Sequence, residues 1–125
     1  MAVRGVRGAT TAVANVAEEI LSATRALLEE MVRANHILTE DIAAVFFTIT
    51  HDLDAAFPAQ AARQMGWQHV PLLDAQEVPV PEGLPRCIRV LMLWNTAIPQ
   101  REVGHVYQGK AQGLRPDLVG LDEIK

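Results

Sequence analysis

Arg89 stands in an otherwise apolar run, Cys87-Ile88-Arg89-Val90-Leu91-Met92-Leu93-Trp94. Arginine rarely goes inside a protein without a partner, and a guanidinium does not shed its proton to escape desolvation. Such a residue needs either a carboxylate of the protein or an anion that the protein binds. The other reading is an arginine near a strand end whose head snorkels to water. The run alone leaves both open. Glu77, an isolated acid beside Val78, is one available ion-pair partner. Arg4 and Arg7 lie three residues apart in an extended segment, so they face opposite sides and only one of them can share a face with Arg89. Arg63, with Gln60 one helical turn before it, the lone tyrosine Tyr107, and Arg115 after Leu114 complete the set. Taken singly, Arg63 reads as a solvated helix face and Tyr107 as an amphipathic core edge. Together they suggest a site for a small, carboxylate-rich ligand, because a guanidinium fork grips a carboxylate through two parallel hydrogen bonds, which is both strong and orienting.

Other chemistries find less support. His36, His51, His69 and His105 are scattered without metal-ligand spacing, and there is no cysteine pair. No metal or other cofactor is expected. Cys87 lies among apolar residues, where a thiol is usually inert. There is no G-x-S-x-G, and Arg4 to Gly8 has neither dinucleotide-binding spacing nor a phosphate-loop lysine. The 15 acidic and 11 basic residues give a net charge of −4 without a dense basic patch, which argues against nucleic-acid or membrane-surface partners. A single cysteine excludes an internal disulfide and fits a reducing cytoplasm. The opening MAVRGVRGATT lacks the apolar region of a signal peptide, and the longest apolar stretch, Ile42 to Phe47, is too short to span a membrane.

The elements that must position these residues follow from periodicity. The chain has 125 residues, half of them apolar, which predicts one folded domain over 1–125. Val3 to Thr10 alternates as a strand, with Gly5 and Gly8 permitting close approach. Asn15 with Glu18 resembles a capping box, and Val16, Ile20, Ala23, Leu27, Met31 and Ala34 predict an amphipathic helix over 16–34, stopped at Asn35. Thr39 to Asp41 suits one short turn. Ala43 to Thr50 reads as a strand with Val45, Phe47 and Ile49 on one face and Phe46, Thr48 and Thr50 on the other. Pro58 opens a short helix, Ala59 to Met65, ended by Gly66. His69 to Leu73 reads as a third strand. Pro79, Pro81, Gly83 and Pro85 stiffen a loop before the Arg89 strand, which Asn95 closes. Residues 100–106 look helix-like and lead to Tyr107, and 114–125 reads as a mobile tail. The expected class is α+β: a mixed sheet packed with one long and one or two short helices.

Read in order, several segments resemble the bacterial monofunctional chorismate mutases of the trimeric pseudo-barrel class. They are Arg4-Gly5-Val6-Arg7-Gly8-Ala9-Thr10-Thr11, Asp52-Leu53, Ala56-Phe57-Pro58-Ala59, Gly66-Trp67-Gln68, Val70-Pro71-Leu72 and Gln76-Glu77. Pro85-Arg86-Cys87-Ile88-Arg89-Val90, His105-Val106-Tyr107 and Leu114-Arg115-Pro116-Asp117-Leu118 continue the series. The resemblance spans nearly the whole chain. It implies a homotrimer that converts chorismate, a dianion, to prephenate in the shikimate pathway toward phenylalanine and tyrosine, with clefts between subunits as sites. It implies that Arg7 and Tyr107 hold a substrate carboxylate and that Glu77 accepts a hydrogen bond from the ring hydroxyl. Arg89 would reach the ether oxygen whose C–O bond breaks and touch a carboxylate. The backbone of Leu73, Asp74, Ala75 and Gln76 would line the pocket, Phe57 and Arg63 would close the cleft, and Leu114 with Arg115 would fold over the ligand.

The reaction so implied is an intramolecular rearrangement, which needs no nucleophile, metal or proton relay. A protein can supply the compact conformer of a flexible dianion and a charge complementary to the transition state. Two departures stand out. Gln60 occupies a place where the family often has lysine, and Asp74 one where a small neutral residue occurs. A carboxylate facing a dianion is repulsive, so the Asp74 side chain is expected to point away. Two further readings accompany the resemblance: an enamine or imine deaminase on the same pseudo-barrel, and a non-catalytic module that binds aromatic-pathway metabolites.

Overall fold

The computed structural model describes residues 1–114. In chain order the elements are β1 (Ala2–Thr11), α1 (Ala17–Asn35), β2 (Ile42–Ile49), α2 (Ala59–Gln64), β3 (Leu72–Gln76), β4 (Cys87–Thr96) and β5 (Val106–Tyr107). Single 3-10 turns occupy Thr39–Asp41, Gln100–Glu102 and Gly109–Gly113. The strands form one mixed sheet in the order β3-β2-β4-β1-β5. β4 is antiparallel to both β1 and β2, whereas β3 runs parallel to β2 and β5 parallel to β1. The α+β class with one long and one short helix is thus observed.

Alternation decides which side of the sheet is buried. Val6, Val45, Phe47, Val90 and Met92 share one face, where they pack against Leu27, Leu28 and Met31 of α1. Gly8 lies under that helix. A Cβ there would sit 2.4 Å from the Met31 sulfur, so α1 rests on bare backbone. The opposite face carries no helix among the described residues. Its apolar side chains stay exposed: Val3 54%, Phe46 38%, Leu73 57% and Leu91 41%.

Several expected boundaries move, each for a local reason. Asn15 does not cap α1, whose N-cap is Val16 without a side-chain bond. The Asn15 amide turns to the loop after β2, accepting from the Asp54 and Ala55 N–H groups at 3.0 and 3.1 Å. It also donates to Asp54 at 2.7 Å. Asn35 is the last helical residue, and His36, at φ 55°, takes the left-handed position. Val16 and Ala34 are exposed, while Thr24 and Leu28 are buried. Thr24 enters the core because its hydroxyl donates to the Ile20 carbonyl at 2.7 Å. The third strand begins at Leu72 and not at His69, because residues 68–69 turn and pairing starts with the Pro71 carbonyl, which accepts from Val45 N–H at 2.9 Å. β4 runs past Asn95 to Thr96, which pairs with Ala2. The helix-like reading of 100–106 reduces to three residues. Val106 and Tyr107 instead form β5, too short to leave a periodic signal.

Candidate active site

The sheet register brings the suspected residues together. Tyr107 pairs with Ala9, Ala9 with Arg89, Arg89 with Thr48, and Thr48 with Ala75, forming one row across all five strands. Paired residues point to the same side, and here it is the side opposite α1. Arg7 and Leu73 lie two residues along β1 and β3, so they join the same face. Arg4 faces the other way: it pairs with Trp94 and donates its Nε to the Ile98 carbonyl at 3.0 Å. The choice left open between Arg4 and Arg7 is therefore settled by register in favour of Arg7.

Glu77 follows β3 directly. Its N–H donates to the Ile49 carbonyl at 2.8 Å, and its Oε1 accepts from Arg89 Nε at 2.6 Å. The two side chains are unequally exposed, Arg89 43% and Glu77 17%. Arg89 thus combines the two readings its run left open, a carboxylate partner and a head that reaches solvent. It lies on an open sheet face with the carboxylate of the same chain beside it.

The loop that carries Glu77 back to β4 is clasped at its far end. The Asp52 carboxylate accepts from the Arg86 N–H at 2.9 Å and from the Thr50 hydroxyl. The Thr50 oxygen in turn accepts from the Cys87 N–H at 3.0 Å. Arg86 holds φ 48°, a left-handed conformation unusual outside glycine, and its backbone N–H is the group Asp52 fixes. Burial pushes the Asp52 carboxyl up, but the bonds from Thr50 and Arg86, together with the nearby His51, outweigh it and hold the group below the usual range. Neither Asp52 nor Thr50 carried a sequence signal for this role beyond the Asp52-Leu53 pair.

A second group lies elsewhere. Phe57, Gln60, Asp74, Ala75 and Gln76 line a cavity of about 520 Å³ next to β3. Arg7, Glu77, Arg89 and Tyr107 are not among its walls. Arg63 borders a separate depression with Trp67, Gln68, Val70 and Leu72. Leu114 ends the last 3-10 turn, its N–H donating to the Ala111 carbonyl at 3.0 Å. Arg115 lies outside the described residues. Asp74 pairs with Phe47 on the α1 side of the sheet, away from the Arg89 face, and lines the cavity beside Phe57 and Gln60. Its Oδ1 accepts from the Ala59 N–H, the first of α2, at 3.0 Å. Burial pushes the Asp74 carboxyl up, partly offset by that bond and by Arg63.

Among the described residues, no group of three or more His, Cys, Asp or Glu side chains is placed to hold a metal ion. No helix among them is long and apolar enough to cross a membrane. What the open face offers is fixed positive charge, a phenol and one oriented carboxylate. Residues 3–118 match the family chorismate mutase type I. The chain belongs to that family. Among similar proteins, the chorismate mutase AroH of Thermus thermophilus is 59% identical over 117 residues, covering 93% of this chain and 96% of that protein. The chorismate mutase AroH of Bacillus subtilis (strain 168) is 47% identical over 119 residues, 94% of each chain. A solved chorismate mutase from Clostridium thermocellum superposes with a TM-score of 0.85 at 46% identity, covering 86% of this chain and 96% of that one. This chorismate mutase is an isomerase of aromatic amino acid biosynthesis, which decides between the mutase and deaminase readings.

Proposed function

We propose that the mutase acts on chorismate as a cytoplasmic homotrimer whose sites form where one subunit's open sheet face meets the 520 Å³ cavity of its neighbour. The observation that carries this is the separation of the two residue groups. Arg7, Arg89, Glu77 and Tyr107 lie on or beside the uncovered face, whereas Phe57, Gln60 and the 74–76 backbone line a cavity that none of those four reaches. The exposed Val3, Phe46, Leu73 and Leu91 on the same face are what a subunit interface would bury. The single cysteine suits a reducing compartment.

In this reading Arg7 and Tyr107 hold a substrate carboxylate and keep the flexible dianion compact. As the C–O bond stretches, negative charge gathers on the ether oxygen. The Arg89 guanidinium beside it stabilises the transition state more than the ground state. Glu77 fixes Arg89 through Nε, so the terminal nitrogens of the fork point to substrate. A carboxylate has about four acceptor positions over its two oxygens. Glu77 therefore holds Arg89 and accepts the ring hydroxyl together, and acts as no general base. Phe57 and Arg63 close the cleft, and Leu114 folds over it.

Co-assembly of two inactive variants tests the shared site. Arg89→Ala chains keep an intact cavity, and Phe57→Asp/Arg63→Ala chains keep an intact sheet face. In each mixed trimer one of the three interfaces regains both halves, so prephenate formation returns. Mixed trimers with no recovered activity contradict a site built from two subunits.

A further inference from the structure

We infer that His105 is a positioning residue that sets the register of β5 and thereby turns Tyr107 toward Arg7. The inference rests on the reading in which Arg7 and Tyr107 hold the substrate carboxylate. β5 consists of Val106 and Tyr107 alone, paired parallel to Gly8 and Ala9. A ladder this short specifies its register weakly, and a slip of one residue would send Tyr107 to the α1 face and Val106 to the substrate face. Something outside the ladder must fix it.

Two side chains do. The His105 Nδ1 accepts from the Arg7 N–H at 3.0 Å. That bond requires an unprotonated Nδ1, so the neutral ring carries its proton on Nε2. One residue earlier, Asn35 grips both polar groups of Gly104: its Oδ1 accepts from the Gly104 N–H at 2.8 Å, and its Nδ2 donates to the Gly104 carbonyl at 2.9 Å. Beyond β5, the Gln108 N–H donates to the Ala9 carbonyl at 2.9 Å. The end of α1 thus anchors Gly104, and His105 ties the next residue to Arg7 itself. Of these contacts, only the His105 bond joins the segment bearing Tyr107 directly to the backbone of the other carboxylate-holding residue.

The test compares His105→Leu, His105→Asn and His105→Gln with Arg7→Ala in steady-state chorismate kinetics. Exchange of the Arg7 amide hydrogen is followed alongside. Asparagine places its Oδ1 where Nδ1 stood, whereas glutamine carries its oxygen one atom further out. The expected result for His105→Leu is a chorismate KM raised roughly tenfold with kcat within about threefold, since lost positioning of a binding pair weakens ground and transition states alike. His105→Asn holds KM within about threefold of the parent and keeps the Arg7 amide protected. His105→Gln behaves like the leucine variant, and the Asn–Gln comparison decides the matter if His105→Leu does not fold. Equal KM in the asparagine and glutamine variants overturns the inference, as does an unchanged KM in His105→Leu while Arg7→Ala raises it. An unchanged KM in Arg7→Ala overturns the carboxylate reading beneath it, and this inference with it.

Discussion

Arg89 meets Glu77 through Nε and Oε1 at 2.6 Å, joining the middle of β4 to the residue that follows β3. The bond spans β2, which lies between those strands in the sheet. It uses the inner nitrogen of the guanidinium, so the terminal nitrogens are the part of the fork it does not engage. A carboxylate that holds an arginine by Nε orients it as well as neutralising it.

That relationship sets an order among substitutions of Glu77. Glu77→Gln keeps an acceptor oxygen and loses the charge, while Glu77→Ala loses both. Prephenate formation is expected to fall further in the alanine variant, on the order of a hundredfold in kcat, with glutamine between it and the parent. Because no proton is transferred, kcat in heavy water should match that in light water within about 1.5-fold. A large solvent isotope effect would assign Glu77 a general-base role and contradict this account.

Asp74 offers a test of charge against capping. Its carboxyl is pushed up by burial, so the ionised form is disfavoured in the folded chain. A carboxyl raised above its unfolded value opposes folding once the pH exceeds the unfolded value, and the penalty is relieved as pH falls through the folded value. Asp74→Asn keeps an oxygen for the Ala59 N–H and removes the charge. Its thermal midpoint at pH 7 should equal or exceed the parent's, with the gain shrinking as the pH falls to about 4. Asp74→Ala loses the acceptor and should cost about 0.5–2 kcal/mol. Thermal unfolding of the three proteins across that pH range checks the sign.

Cys87 is buried, and that burial pushes its thiol up to about 11, with Arg89 pulling the other way and Glu77 adding to the rise. A thiol that stays protonated is a poor nucleophile. The native protein should resist alkylation at pH 8 and react fully once denatured. Fast modification of the native protein would contradict the packing around β4.

Much of this arrangement was legible in the chain. The alternation of Val45 and Phe47 against Phe46 and Thr48 located both faces of β2, because half-burial imposes a period of two. The pairing of Arg7 with Arg89 on one face was only half legible. Spacing said that Arg4 and Arg7 face opposite sides, but only the β1–β4 register chose between them. β5 was hidden because two residues show no period, and its position depends on Asn35 and His105, distant in sequence from the strand it joins. Asn15 and Asn35 were misread for a common reason. Their local helix-end signals competed with tertiary partners at Asp54 and Gly104, and the tertiary bonds won. The exposure of Arg89 was left undecided, since an apolar run does not reveal that one sheet face carries no helix among the described residues.

The central claim is that the fixed charge of Arg89 stabilises the breaking C–O bond. Its most direct test is kcat for prephenate formation by Arg89→Ala, measured beside circular dichroism and the thermal transition to establish folding. The account predicts a folded protein whose kcat falls by a hundredfold or more, of order ~3 kcal/mol of transition-state stabilisation. Near parental prephenate formation by the folded variant would contradict it.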